Sequence, residues 1–241
     1  MTAPGNMHTL IQLIKKLLPS PVYNLIKRLF GHPDYIQVKC PVEHHGSEYG
    51  GWTICPNGIS EKSIVYSFGI GEDISFDLSL IDSYGLEVHA FDPTPQSIDW
   101  LKTQTLPENF HYYQYGAADY DGTIKLFPPE PGWKSSHMME GHGEKHGAVE
   151  VPVRRIETLR DMLGHDRIDI LKMDIEGMEY DVIGDMLSSG VRAGQVLVEF
   201  HHYFYGKTTA QTFDTIRLLN RHGYRIFALS PEGREISFIA V

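Results

Sequence analysis

From residue 63 onward the chain alternates short apolar runs with segments whose apolar residues recur every three or four positions. Runs of the first kind predict strands and segments of the second predict helices, so their alternation predicts an α/β layered sheet. Ser63–Gly71 (SIVYSFGIG) reads as a strand ending in glycines, followed by a helix over Asp73–Tyr84 with Ile74, Leu78 and Ile81 on one stripe and Gly85 as its stop. Glu87–Phe91 is a second strand ending in Asp-Pro, Pro95–Thr103 a helix, and Phe110–Ala118 a third strand. The Asp121-Gly122 turn leads into an additional strand, Thr123–Phe127. The pattern resumes with a strand over Val149–Val153, a helix near Ile156–Leu163 and a buried-type strand, Ile168–Met173. Val182, Ile183, Met186 and Leu187 mark the next helix, which Gly190 ends, and Gln195–Phe200 is the strand after it. Phe213, Ile216 and Leu219 predict a last helix, stopped by Gly223, before an antiparallel pair over Tyr224–Leu229 and Glu235–Val241.

Two stretches break the pattern. Residues 128–148 begin with Pro128 and Pro129, are rich in glycine, and hold His137, His142 and His146 at irregular spacing. A long aperiodic loop inside a compact domain is usually functional, and this one reads as a substrate lid rather than a histidine metal cluster. Residues 9–30 are apolar but interrupted by Lys15-Lys16, Pro19, Pro21 and Lys27-Arg28. Those charges and prolines exclude a spanning helix and argue against a signal peptide. Two amphipathic cationic helices remain, docked on the domain or on a second copy of the chain, with peripheral membrane contact as the other reading. The expected division is an N-terminal helical extension over 1–48 and one α/β domain over 49–241.

Composition narrows the partners. With 31 Asp+Glu against 21 Lys+Arg, the net charge of -10 argues against a nucleic-acid partner. A hydrophobic content of 41% over 241 residues is ample for a core and excludes a disordered chain. Two cysteines, Cys40 and Cys55, suit a reduced cytoplasm better than a disulfide scaffold, and their spacing matches no zinc site.

Ligands of open α/β sheets sit at the carboxyl ends of the strands. At the first such end stands Phe68-Gly69-Ile70-Gly71-Glu72-Asp73, where glycines allow a tight turn and close backbone approach, although an ordinary βα turn uses them too. Asp92 ends the next strand, where an acid accepts ribose hydroxyls. A nicotinamide dinucleotide wants a third glycine where Ile74 stands, and bare amides where Glu72 and Asp73 stand. A cationic nucleoside donor without phosphates, S-adenosylmethionine, suits these residues better than a dinucleotide oxidoreductase cofactor does.

The segments VYSFGIGEDISFDLSL, VHAFDPTP, LKMDIEGMEYDVI and VLVEFHH resemble the FkbM-type S-adenosylmethionine-dependent methyltransferases, from about residue 50 to the C-terminus. The resemblance implies a three-layer, Rossmann-like class I methyltransferase fold, with a mostly parallel seven-stranded sheet and an antiparallel last strand. It also implies O-methylation of a sugar hydroxyl in a glycan, nucleotide-sugar or natural product. Carried onto this chain, Ser67, Phe68, Gly69 and Gly71 wrap the methionine end of the donor, with Glu72 at its amine. Asp92 then holds the ribose, and Pro93, Thr94, Ala117 and Ala118 border the adenine. Trp52 either packs over the donor or belongs to the core, and Asp73 reads as a helix cap. A catalytically silent binding module on the same fold is a further alternative.

A sugar hydroxyl is a weak nucleophile at neutral pH and needs a base or a metal. Asp174 and Glu176 leave one strand, while Glu199, His201 and His202 leave the next. Asp174, Glu199 and His201 make a mixed N/O ligand set for a divalent ion such as Mg2+. In the metal-free alternative His201 or His202 is a general base oriented by a carboxylate, with Glu176 close by. Glu179 reads as a surface acid, and Arg154-Arg155 as a solvated strand edge rather than an anion guide.

Overall fold

The computed structural model describes residues 22, 27, 31–127, 138–139, 148–202 and 206–241. Its strands are β1 (Glu43–His45), β2 (Trp52–Ile54), β3 (Ile64–Phe68), β4 (Glu87–Phe91), β5 (Phe110–Tyr113), β6 (Gly116–Ala117), β7 (Gly122–Phe127), β8 (Met138–Met139), β9 (Val149–Arg154), β10 (Ile168–Met173), β11 (Ala193–Glu199), β12 (Tyr224–Leu229) and β13 (Glu235–Ala240). The helices are α1 (Ser75–Tyr84), α2 (Pro95–Leu101), α3 (Ile156–Leu163), α4 (Glu179–Ser188) and α5 (Thr209–Arg221).

The apolar runs pair into one seven-stranded sheet in the order β12-β13-β11-β10-β3-β4-β5. The run β11-β10-β3-β4-β5 is parallel, whereas β13 is antiparallel to both its neighbours. Strand order therefore reverses between β3 and β10, the switch point where such sheets bind ligands. Strands covered on both faces need apolar residues on both, and the two faces feed separate cores. Tyr66, Phe68, Leu171 and Val198 pack with Leu159 of α3, Ile183 of α4 and Ile216 of α5. Val65, Ile170 and Leu197 pack with Phe76 and Leu80 of α1 and Leu101 of α2. The result is the expected three-layer α/β fold.

A smaller sheet, β6-β9-β7-β8, explains where the expected third strand stops. The run read as Phe110–Ala118 is two strands: β5 ends at Tyr113, and Gly116 and Ala117 pair with Val153 and Arg154 of β9. The apolar pattern continues across this break, which is why the sequence reads as one element. The β1–β2 hairpin has the register Glu43↔Ile54 and His45↔Trp52. Strands of three residues carry no detectable period, and none was expected there. The hairpin straddles the division expected at residue 48, and the segment before it also packs on the sheet, with Gln37 and Val38 N–H donating to the Ile226 carbonyl at 2.8 and 3.1 Å.

The helices start and stop by local chemistry. Thr94 caps α2 by accepting from Ser97 N–H, with Pro95 at the first helical position. Thr208 and Gln211 form a reciprocal capping box on α5. Gly85 ends α1 in the left-handed region. Among the described residues no helix is long and apolar enough to cross a membrane. The helices expected over 9–30 lie outside the described residues except for positions 22 and 27. So does most of the expected lid, with its histidines; Met138 and Met139 pair with Phe127 and Leu126 of β7.

Candidate active site

The carboxyl ends of β3, β4, β10 and β11 converge on one cavity of about 1460 Å3. Its floor is laced by backbone. Asp174 N–H donates to the Phe68 carbonyl (3.1 Å) and Gly69 N–H to the Phe91 carbonyl (3.0 Å). Gly69 has φ 72°, and a Cβ placed there would stand 1.6 Å from the Asp174 carbonyl oxygen, so no other residue fits. Gly71, φ 53°, faces open space instead. Lys172, buried in β10, donates its ammonium to the Phe68 and Gly69 carbonyls and lies 5.6 Å from the Trp52 ring centroid. That ammonium turns both carbonyls inward. Asp92 braces the neighbouring strand end: Oδ2 accepts from Gly71 N–H (3.0 Å), and Oδ1 from Thr94 N–H (2.9 Å) and Thr94 Oγ1 (2.7 Å). A carboxylate has about four lone-pair sites, so one direction remains for a ligand hydroxyl.

The hairpin caps this floor. Ser47 Oγ donates to Asp73 Oδ2 (2.6 Å), Ser47 N–H to Ser75 Oγ (2.7 Å), and Asp73 Oδ1 accepts from Ser75 N–H (2.8 Å) at the entry to α1. Burial pushes the Asp73 carboxyl up, but the bonds from Ser47 and Ser75, with the Lys172 charge, bring it below its ordinary value. A Cβ on Gly50 would meet the Asp73 carboxylate at 2.7 Å, so the glycine permits the close seating of the hairpin tip. Trp52 is buried beside the cavity, whereas Tyr49 at the tip is 90% exposed.

At the ends of β10 and β11 lies a carboxylate–imidazole centre, near enough to the hairpin tip for its acids, after burial, to raise the pKa of Tyr49. Glu179, at the start of α4 and fully buried, accepts from His201 N–H (2.8 Å) and Gly177 N–H (2.8 Å) and holds His201 Nδ1 at 3.1 Å. The ring's other nitrogen, Nε2, then points into the cavity, 3.6 Å from Asp174 Oδ1, 3.6 Å from Glu176 Oε2 and 3.9 Å from Glu199 Oε1. Glu176 is the only non-glycine with positive φ (52°) among the described residues, strain the turn tolerates to aim that carboxylate. Burial disfavours a charge on His201, but Glu179, Asp174 and Glu176 outweigh it and raise its pKa to about 10. The Glu199 carboxyl is pushed up to about 7, by burial first and then by the Asp174 charge. Arg234 Nη1 stands 3.6 Å from Glu199 Oε1.

The family model for the methyltransferase FkbM domain matches residues 62–226, which span every strand end just described. The chain belongs to the FkbM methyltransferase family. Probable methyltransferase-like protein 24 of Homo sapiens is 28% identical over 145 residues, 59% of this chain and 33% of that protein. Its counterpart from Rattus norvegicus is 24% identical over 174 residues, 68% of this chain and 42% of that protein. The chain thus spans less than half the length of these curated relatives. Among solved structures, fibrillarin pre-rRNA processing protein of Methanococcus jannaschii matches 78% of this chain and 69% of its own, at 11% identity and a TM-score of 0.45. Precorrin-6y C5,15-methyltransferase of Geobacter metallireducens matches 76% of this chain and 82% of its own, at 12% identity and a TM-score of 0.39.

Within this FkbM domain the residues read as donor-binding divide in two. Gly69, Gly71, Glu72, Asp92, Pro93, Thr94 and Ala117 line the cavity. Ser67, Phe68 and Ala118 are fully buried beneath it and reach it at most through the backbone. Glu72 accepts from Gln96 at the rim (2.7 Å). Asp174, Glu176, Glu199 and His201 come together, but His202 does not line the cavity; its Nδ1 lies 3.4 Å from Thr212 Oγ1 of α5. Alternation along the strand end accounts for this, since it sets Glu199 and His201 on one face and His202 on the other. The three groups whose ligand atoms lie within 4.8 Å of one another are Asp174, Glu176 and His201, so Glu176 stands where the sequence placed Glu199. Glu179, read as a surface acid, is instead the residue that orients the histidine. Arg155 pairs with Asp185 (2.8 Å) and Glu157 (2.8 Å) rather than facing solvent as a bare edge.

Proposed function

We propose that this protein is an S-adenosylmethionine-dependent O-methyltransferase acting on a hydroxyl of a neutral glycan or natural product. The observation that carries the reading is the charge of the cavity at the switch point: nine carboxylates line it against Lys172, Arg234 and the His201 imidazole. A donor with sulfonium and ammonium groups is attracted there, whereas the pyrophosphate of a nicotinamide dinucleotide is repelled. The same charge favours a neutral acceptor over a nucleotide-linked sugar. The glycine turn, the remaining direction on Asp92 and a volume above that of an ordinary single-ligand pocket all fit a nucleoside donor plus an acceptor.

In this reading Asp174, Glu176 and His201 hold a divalent cation. The fit rests on the geometry of His201: a ligating histidine donates its other ring N–H to a carboxylate, and Glu179 is so placed. When bound, the donor supplies an electrophilic methyl group and the cation acidifies the acceptor hydroxyl. Glu179 fixes the ring, Gly69 and Gly71 let the donor approach the backbone, and Trp52 with the hairpin excludes water from the donor end. Glu199, at the edge of the ligand group, is the carboxylate that takes the hydroxyl proton.

Calorimetry on the full chain tests the donor. S-adenosylhomocysteine binds and NAD does not; binding of NAD with no response to S-adenosylhomocysteine would replace the reading with an oxidoreductase. A methylation assay on neutral glycans, after treatment with a chelator and again after Mg2+ or Mn2+ is restored, tests the cation. Loss and recovery support it, undiminished turnover in chelator removes it, and donor binding without turnover on any acceptor points to a silent binding module.

A further inference from the structure

We infer that Cys40 and Cys55 are the two halves of an intramolecular disulfide that staples the base of the β1–β2 hairpin, the cap of the cavity. They are the chain's two cysteines, both free thiols in this structure, and the fold packs both into one apolar cluster. The pair Glu43↔Ile54 closes the hairpin at its open end. Continued past Glu43↔Ile54, the antiparallel register sets Cys55 opposite Val42, two residues along the chain from Cys40. Both side chains pack into the same apolar cluster as Trp52 and Ile54, Cys55 buried and Cys40 partly so.

Each cysteine is held from outside the hairpin. Cys55 N–H donates to Gln195 Oε1 (2.8 Å) and Gln195 Nε2 to the Cys55 carbonyl (2.6 Å), fixing it to β11. Cys40 follows the segment whose Gln37 and Val38 bond to Ile226 of β12. The partners are thus pre-placed by contacts that do not depend on the bond. Burial, then the neighbouring Cys55 thiol, push the Cys40 thiol up to about 12. A thiol so protonated exchanges slowly in both directions, so the bond forms only on prolonged equilibration with the oxidant and, once made, is a lasting staple rather than a rapid sensor.

The oxidant is a low-molecular-weight disulfide such as oxidised glutathione. The Cys40 Sγ–Cys55 Sγ bond forms as the oxidant's S–S bond breaks, two electrons pass to the oxidant, and the two thiol protons end on its two released thiols. The residues enclosed between the cysteines include His44, Tyr49 and Trp52, which line the cavity. Tying the base of their hairpin slows its opening.

The full-length protein, equilibrated under native conditions in reduced or oxidised glutathione and then acid-quenched, unfolded and alkylated, provides the test. After oxidation the intact mass should be lighter by two hydrogens with neither cysteine alkylated, and one proteolytic peptide pair should join residues 40 and 55. The oxidised form should melt about 5–10 °C higher and exchange amide hydrogens more slowly over residues 43–54. Cys40→Ser and Cys55→Ala should each remove both differences. Alkylation of both cysteines after oxidation, a mixed disulfide with glutathione in place of the internal bond, or a cross-linked form identical in melting and exchange overturns the staple. Slower release of S-adenosylhomocysteine by the oxidised form is a further consequence that rests on the proposed function. Failure of either form to bind it overturns the donor reading alone and leaves the mass and exchange results to decide the staple.

Discussion

His201 and His89 are both buried imidazoles, and their neighbours drive them in opposite directions. Four carboxylates face His201 and favour its charged form or a cation in its place. His89 in β4 stacks on His111 (5.0 Å between ring centroids), meets His165 edge-on (4.5 Å) and bonds Tyr113 through Nδ1 (3.2 Å). Burial, then His165 and His111, lower its pKa to about 3. A histidine whose folded pKa lies below its ordinary value contributes stability that is complete above about 6.5 and is lost as pH falls from there towards 3. His89→Phe keeps an aromatic ring without the proton site, so its melting temperature should fall less than that of the parent between pH 6.5 and 4. Parallel melting curves across that window would refute the assignment. Glu179→Gln keeps a hydrogen-bonding side chain but removes the charge behind His201. Turnover should drop about 10- to 100-fold while affinity for S-adenosylhomocysteine is unchanged; equal loss of both would mean that the residue holds the fold and not the ring. The sequence shows an acid at the start of a helix, which the helix dipole explains well enough on its own. Only the return of β11 over α4 reveals that the carboxylate is buried against a histidine.

At the scale of elements, what was legible follows from length and period. The parallel strands are runs of four to seven residues next to helices with clear stripes, and their ends carry Gly-x-Gly, Asp-Pro and Asp-Ile-Glu-Gly turns that stand out in the chain. The cap was not legible, because β1 and β2 have three residues each and His44, His45 and Trp52 give no alternation. Nor was the break between β5 and β6, since Tyr112, Tyr113 and Tyr115 continue an apolar pattern across a change of sheet. Asp92 shows how an element's end does two jobs. The sequence shows it as a ribose acceptor, yet it also joins the β3 turn to the cap of α2 through Gly71 and Thr94. Asp92→Ala should therefore weaken S-adenosylhomocysteine binding by more than the ~1.5–3 kcal/mol of a charge-assisted hydrogen bond and also lower the melting temperature. Asp92→Asn keeps part of the bracing and should separate the two effects, recovering stability more than affinity. A variant with parent-like affinity would move the ribose elsewhere in the cavity.

At the scale of the molecule, charge is the property that sequence and structure share. The net charge of -10 argues against polyanionic partners, and the fold concentrates that excess at the functional end of the sheet, where nine carboxylates face Lys172, Arg234 and His201. Which acids would gather there was partly visible, because each strand end contributes its own; Glu48 from the hairpin tip, Glu232 from the β12–β13 turn and Glu235 at the start of β13 arrive only through tertiary structure. A cavity of this sign sorts acceptors before any specific contact forms. An uncharged sugar enters at no electrostatic cost, whereas a sugar phosphate must approach several carboxylates within a Debye length, about 8 Å at physiological ionic strength. For matched acceptors, kcat/KM should be at least about tenfold higher for the neutral sugar. The difference should shrink as salt is raised, because screening relieves the repulsion of the phosphate and leaves the neutral acceptor untouched. Methyl transfer to the phosphorylated sugar at equal or greater efficiency, with no response to salt, would mean that a cation bound at Asp174, Glu176 and His201 governs the local field and that acceptor choice is made by shape instead.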